Sequence, residues 1–203
     1  MNNMNKKMLT TLFIVIGLAV LLIVLFRTDK KREPIKITAY SSMEELTLDE
    51  LITKADLIVV GQAKTVYPSR WNTPNGKLPD GVTTKNLSTK NIIFTDLNFL
   101  VSQTIKGENG ASVLIRTFGG QVDQDIMTIS PVESLETGQV YLLFLSRDNT
   151  GLTASIDPSH YLVLGSIQGT YKVSDGKAIS FRDEWQVEKL IDYIQKIILE
   201  KNK

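Results

Sequence analysis

Gln139-Val140-Tyr141-Leu142-Leu143-Phe144-Leu145-Ser146 sets six apolar side chains in a row directly after the turn signal Glu136-Thr137-Gly138. A short continuous apolar run behind turn residues reads as a strand buried on both faces, one from the middle of a sheet. A second stretch matches it: Asp56-Leu57-Ile58-Val59-Val60-Gly61-Gln62-Ala63-Lys64-Thr65-Val66 is β-branched at first and alternating afterwards. It reads as a strand with one end buried on both faces. The two together place the chain in the mainly β class. Val59, Leu142, Phe144 and Leu114 are the expected core.

Working outward, Ile92–Ile105 alternates imperfectly and predicts a long, bent or bulged strand. Lys106-Gly107-Glu108-Asn109-Gly110 turns into a further strand over 111–117. Phe118-Gly119-Gly120-Gln121 lacks the Lys-Ser/Thr of a phosphate loop, and its glycines mark a bulge or tight bend. An acidic, proline-containing connection leads to the central run. Tyr161–Leu164 and Gly169–Val173 predict strands, with a hairpin turn at Ser174-Asp175-Gly176-Lys177 and a partner over 178–181. A short helix over 46–55, capped by Thr47 or Ser42, precedes the barrel strands. An amphipathic helix over 182–200 follows them, with Trp185, Leu190, Ile191, Ile194, Ile197 and Ile198 on one stripe. This helix is expected to plug an open barrel end.

The first 33 residues are of another kind. Met8 to Phe26 is 19 residues without a charge, about 28 Å as a helix and close to the ~30 Å hydrocarbon core. The run ends in Leu25-Phe26-Arg27, with no small-x-small cleavage site, so an uncleaved anchor is expected. The organisation read from this is a tail over 1–7, a transmembrane anchor over 8–26, a linker over 27–43 and a domain over 44–203. Two lysines precede the span and four basic residues follow it within six positions, a count that favours a cytoplasmic body.

The whole chain balances 23 basic against 22 acidic residues, but residues 1–33 hold six of the bases and two of the acids. That leaves 17 against 20 in the remainder, a mildly acidic body without the basic stripe of a nucleic-acid protein. Cysteine is absent and His160 is the lone histidine. Disulfides, thiolate chemistry and zinc held by Cys or paired His are thereby excluded, and no cofactor is expected.

One order of elements stands out: Ala55-Asp56-Leu57-Ile58-Val59-Val60-Gly61, a long loop, a strand ending in Ile105-Lys106-Gly107, a short strand, then Gly138-Gln139-Val140-Tyr141-Leu142-Leu143-Phe144-Leu145. It resembles a group of anchored or secreted bacterial proteins. More distantly it is similar to the netrin-like modules of the tissue inhibitors of metalloproteinases. The resemblance covers about residues 44–173 and implies a five-stranded OB-like barrel with a C-terminal helix. It also implies a body outside the membrane, against the count of positive charges. The inhibitors act through an N-terminal cysteine and are stapled by disulfides. This chain has neither, so their activity does not carry over.

Catalytic patterns are weak. Asp157, Ser159 and His160 surround Pro158 and read as a turn. Ser174 and Lys177 match S-x-x-K, but Asp-Gly between them dictates a hairpin rather than a helical turn. Asp123 and Asp125 lack the ligand loop of a calcium site. A binding or accessory module with a protein or peptide partner is therefore expected rather than an enzyme. The alternative is a structural or assembly subunit of a membrane complex. The candidate ligand residues lie in the 25-residue loop over 67–91: Arg70, Trp71, Lys77 and Lys85. A tryptophan beside arginine concentrates interface energy when exposed. The competing expectation is that Trp71 folds back onto the barrel as packing.

Overall fold

The computed structural model describes residues 32–40, 44–132 and 134–201. The expected tail at 1–7 and anchor at 8–26 lie outside these residues. Among the described residues no helix is long and apolar enough to cross a membrane. In chain order the elements are β1 (Lys36–Tyr40), α1 (Leu48–Lys54), β2 (Leu57–Val66), β3 (Arg70–Trp71), β4 (Ile93–Lys106), β5 (Ser112–Phe118), β6 (Gly120–Val122) and β7 (Asp125–Ser130). They continue as β8 (Val140–Arg147), β9 (Tyr161–Val163), β10 (Thr170–Ser174), β11 (Lys177–Ile179), β12 (Glu184–Gln186) and α2 (Val187–Lys201), with one 3-10 turn over Ser166–Gly169.

Five strands close into a barrel. β2 pairs antiparallel with β4 and with β8, β4 pairs with β5, and β8 pairs with β9. A parallel bridge between Ile115 of β5 and Tyr161 of β9 completes the ring. Side-chain alternation then sorts the apolar residues. Leu57, Val59, Phe99, Ile115, Tyr141 and Leu143 fill the barrel. Ile58, Val60, Leu142 and Phe144 point the other way, onto α1 and α2. Val59, Leu142 and Phe144 are fully buried as expected. Leu114 is only half-buried, because on β5 the inward positions are Val113 and Ile115.

β2 and β4 run together through three register shifts, the bulged strand expected from its imperfect alternation. Gly61 permits this: a Cβ there would lie 2.2 Å from the Leu100 carbonyl oxygen and 2.6 Å from the Phe99 ring. The short motifs behind the resemblance prove to be joinery. Thr47 caps α1 in a capping box with Glu50, whose carboxylate accepts from the Thr47 amide at 2.8 Å. Lys106 closes the other end, donating to the carbonyls of Ile52 and Thr53 at 2.8 and 2.9 Å. Gly107 takes φ +82°, and a Cβ there would sit 2.5 Å from the Asp56 carbonyl oxygen. Asp56 accepts from the Arg147 amide, and the Tyr141 hydroxyl accepts from the Glu136 amide.

Four features differ from expectation. Part of the stretch read as linker is structural: β1 pairs in parallel with β7, and Ile35 just before it is buried. β7 lies within the acidic connection and pairs with β6, which makes a separate three-stranded sheet. The C-terminal helix begins at Val187, because Trp185 pairs with Ala178 in a third hairpin strand. α2 does not plug the barrel; its Leu190, Ile194 and Ile197 cover the outer face of the strands together with α1.

Candidate functional site

The four residues singled out in the loop over 67–91 do not converge. Trp71 is fully buried among Ile35, Ile92, Ile93 and Met127, so the packing expectation describes its place. Its Nε1 is buried without a hydrogen-bond partner. Arg70 sits at the barrel wall, donating to Asp96 Oδ2 at 3.2 Å and to the Asp157 carbonyl at 2.8 Å. Lys77 and Lys85 are exposed on turns organised by Asn75 and by Asn86 with Thr83. The later part of the same loop behaves differently: Leu87 and Asn91 line a cavity.

That cavity, of about 790 Å3, lies where the three-stranded sheet faces β5 and β9. Ile37 and Ala39 come from β1, Ile129 from β7, Phe118 from β5 and Leu162 from β9. Glu44 and the 83%-exposed Tyr40 border its mouth. A sealed void of about 790 Å3 would cost about 19 kcal/mol at ~24 cal/mol per Å3. Whole domains are held by only ~5–15 kcal/mol, so the space is open at its mouth or filled in use. Its volume is in the range of small-molecule sites, ~300–1,000 Å3.

The lining is mostly apolar, with Thr84, Ser88, Thr89, Asn91, Thr117 and Ser166 among its polar residues; Arg116 and Thr170 are the buried ones. Arg116 is the only cation among the described lining residues, and it shares the Asp96 carboxylate with Arg70. Nε and one terminal nitrogen meet Asp96 at 2.6 and 2.9 Å, and the other terminal nitrogen donates to the carbonyls of Thr153 and Ile156. The guanidinium also stacks 4.0 Å from the Phe94 ring centre. Thr170 is the opposite case. It is 3% exposed, lines the cavity, and its hydroxyl has no partner in the protein. Buried hydroxyls are nearly always hydrogen-bonded, so this one calls for an explanation.

The other titratable clusters organise the chain locally. His160 is buried, with Nε2 2.9 Å from Asp148 Oδ2 and Nδ1 2.9 Å from the Pro158 carbonyl. Both ring nitrogens are thereby engaged, which leaves none to serve as a base for a substrate. Burial pushes the Asp148 carboxyl up, but hydrogen bonds from Thr153, Thr150 and His160 outweigh it and hold the group below the usual carboxylate range. Asp157, Ser159 and His160 form the expected turn beside a smaller cavity of about 350 Å3. Ser174 and Lys177 face each other at the end of the β10–β11 hairpin, and the Lys177 ammonium pairs with Glu184 at 2.6 Å. Asp125 is buried and accepts from the Ile35 amide at 2.9 Å, anchoring β1, while Asp123 occupies the β6–β7 turn. Among the described residues no cluster of three or more acidic or histidine groups is placed to hold a metal.

Nothing in the sequence marked the cavity beforehand, because its walls come from five separated stretches whose meeting depends on the β1–β7 pairing. No protein-family model matches this chain and no curated protein matches it, so the function of the cavity is argued from its own chemistry.

Proposed function

We propose that this chain is a membrane-anchored binding module, its body on the outer side, which holds an apolar ligand in the cavity between the three-stranded sheet and the barrel. The observation that carries this is a large, mostly apolar cavity walled by Ile37, Ala39, Phe118, Ile129 and Leu162. An OB-type barrel supports the reading: the ring has five strands and a Greek-key crossing, and such barrels bind through one face and its loops. The resemblance to netrin-like modules is retained on the same ground. Anchoring rests on the uncharged run over 8–26. Binding is favoured over catalysis because, among the described residues, the cavity lining holds no histidine and no carboxylate beyond Glu44.

Two experiments test it on the full chain in its membrane. Protease added to intact cells is expected to remove the body; digestion only after lysis would place it inside. A small neutral aryl diazirine, photolysed in the same membranes, is expected to label peptides carrying Ile129 and Leu162. Ala39→Phe, which fills the cavity from β1, is expected to abolish those adducts and spare any in 8–26. Equal labelling of both proteins at Ile129 and Leu162, or none in either, would remove the cavity as the binding site.

A further inference from the structure

We infer that this site takes an extended peptide, added as a strand along the free edge of β1 with its alternate side chains in the cavity; this rests on the cavity being the binding site. The backbone of β1 leads there. The Ile126 amide donates to the Ile35 carbonyl at 2.8 Å, and the Ile35 amide donates to Asp125 Oδ1 at 2.9 Å. Ile35 therefore turns its main chain toward β7, and the parallel register carries Ile37 and Ala39 the same way. Lys36, Thr38 and Tyr40 then turn their N–H and C=O groups off the opposite side. Among the described residues β1 pairs only with β7, so this row of donors and acceptors has no strand beside it. Proline, bulges and inward-pointing charges commonly blunt such an edge. β1 has none of them: its register is unbroken, and its one charge, Lys36, stands on the exposed face.

The two faces of β1 say which peptide fits. Ile37 and Ala39 line the cavity, while Lys36, Thr38 and Tyr40 are exposed. A strand laid beside β1 continues that alternation. Its residues opposite Ile37 and Ala39 set their side chains over the cavity, toward Phe118, Ile129 and Leu162. Its residues opposite the other three put their side chains in solvent and their main chain onto β1. The edge thus matches the amides and carbonyls that an apolar wall alone would leave stranded. A main-chain ladder supplies affinity, and pockets for alternate side chains supply specificity. Antiparallel pairing is the more stable arrangement, and an acid opposite Lys36 completes the complement. The partner is a segment that alternates polar and apolar residues and carries an acidic residue at its C-terminal end.

The probe is the blocked peptide Thr-Leu-Thr-Val-Glu with its leucine replaced by the diazirine analogue, offered to the full chain held as one copy per lipid nanodisc. After photolysis, adducts are expected on fragments carrying Phe118 or Leu162, and Ala39→Phe should remove them. N-methylation of the central threonine, whose amide meets the Thr38 carbonyl, should lower labelling at least about fivefold, the worth of one neutral hydrogen bond. Thr38→Pro should lower it as far without moving the melting temperature, because an edge strand accepts proline where the N–H faces solvent. Equal labelling by the N-methylated peptide would overturn the pairing with β1. Labelling of the cavity by the small aryl diazirine but not by the peptide would overturn the peptide and leave the binding site standing. No labelling by either probe would overturn both. Peptide labelling that disappears when two copies share a disc would assign the edge to a second copy and overturn the peptide as its occupant.

Discussion

Two strands of this molecule, β8 and β1, are built on opposite plans. β8 buries both faces. Tyr141, Leu143 and Leu145 enter the barrel, while Leu142 and Phe144 meet the helices, all within 1% of complete burial. β1 alternates instead: Lys36, Thr38 and Tyr40 face solvent, and Ile37 and Ala39 are half-buried along the cavity. One strand has neighbours on every side and carries the stability of the fold. The other has a full neighbour on one edge only, β7, and an open space beneath it. The difference separates what holds the protein together from what is left free to receive something.

Truncation should expose this first and most strongly. Phe144→Ala is expected to lose about 3–5 kcal/mol, the usual range for emptying a closed core site. Ile37→Ala, on the cavity side, should lose less than about 1.5 kcal/mol, because Ile37 is only half-buried at the edge of the cluster around Trp71. Chemical denaturation of both variants checks the pair; equal losses would erase the distinction between the strands.

The wall between the two regions depends on a buried charge pair. Asp96→Ala leaves Arg116 buried without its carboxylate, and the expected loss is again about 3–5 kcal/mol. Replacing both by leucine should cost clearly less than Asp96→Ala alone, since the one charge left without its carboxylate, Arg70, is partly exposed. A double variant as unstable as the single one would mean that the carbonyls of Thr153 and Ile156 matter more than the pair.

Acid should act next, outside both strands. Asp148 and Asp183 are both held below the usual carboxylate range. In each, burial works upward but hydrogen bonds outweigh it: from Thr153, Thr150 and His160 for Asp148, and from Ser180, Trp185 and Tyr171 for Asp183, where the Arg182 charge adds to them. A depressed folded-state value contributes stability above the unfolded-state value, and that contribution is lost as pH falls through the folded one. The melting temperature should therefore hold near neutrality and drop below about pH 4. Asp148→Asn should start lower and fall less steeply. A parallel fall would assign the acid sensitivity elsewhere.

The smallest expected change is at the cavity. Thr170→Val removes a buried hydroxyl that makes no bond in the protein, so stability should stay level or rise by about 1 kcal/mol. A loss of more than about 1 kcal/mol would show that the hydroxyl has a stabilising partner within the fold.

The same contrast explains what the sequence made legible. β8 and β2 announce themselves because strands buried on both faces are written as continuous apolar runs, and every barrel strand was anticipated within two or three residues. β1 and β7 were not anticipated. Lys36-Ile37-Thr38-Ala39-Tyr40 alternates weakly, and its partner lies some 90 residues away within an acidic connection. Parallel pairing of such distant segments leaves no local turn signal. The spacing of Trp185 fits the helical stripe, yet pairing with Ala178 holds it in a hairpin. Trp71 shows the limit for sites. Its loop composition suggested exposure, and only the fold shows Ile35 and Met127 closing over it. The cavity was illegible for the same reason, being assembled by the pairing that the sequence hid.

The comparison comes down to whether one enlargement is tolerated in one region and refused in the other. Ala63 lies fully buried inside the barrel, and Ala39 lines the cavity. Ala63→Phe and Ala39→Phe can be melted side by side in the full chain. Ala63→Phe is expected to overpack a filled core and lose about 3 kcal/mol or more, while Ala39→Phe is expected to stay within about 0.5 kcal/mol of the parent. If Ala39→Phe loses as much as Ala63→Phe, the space beneath β1 is not there and the binding site falls with it.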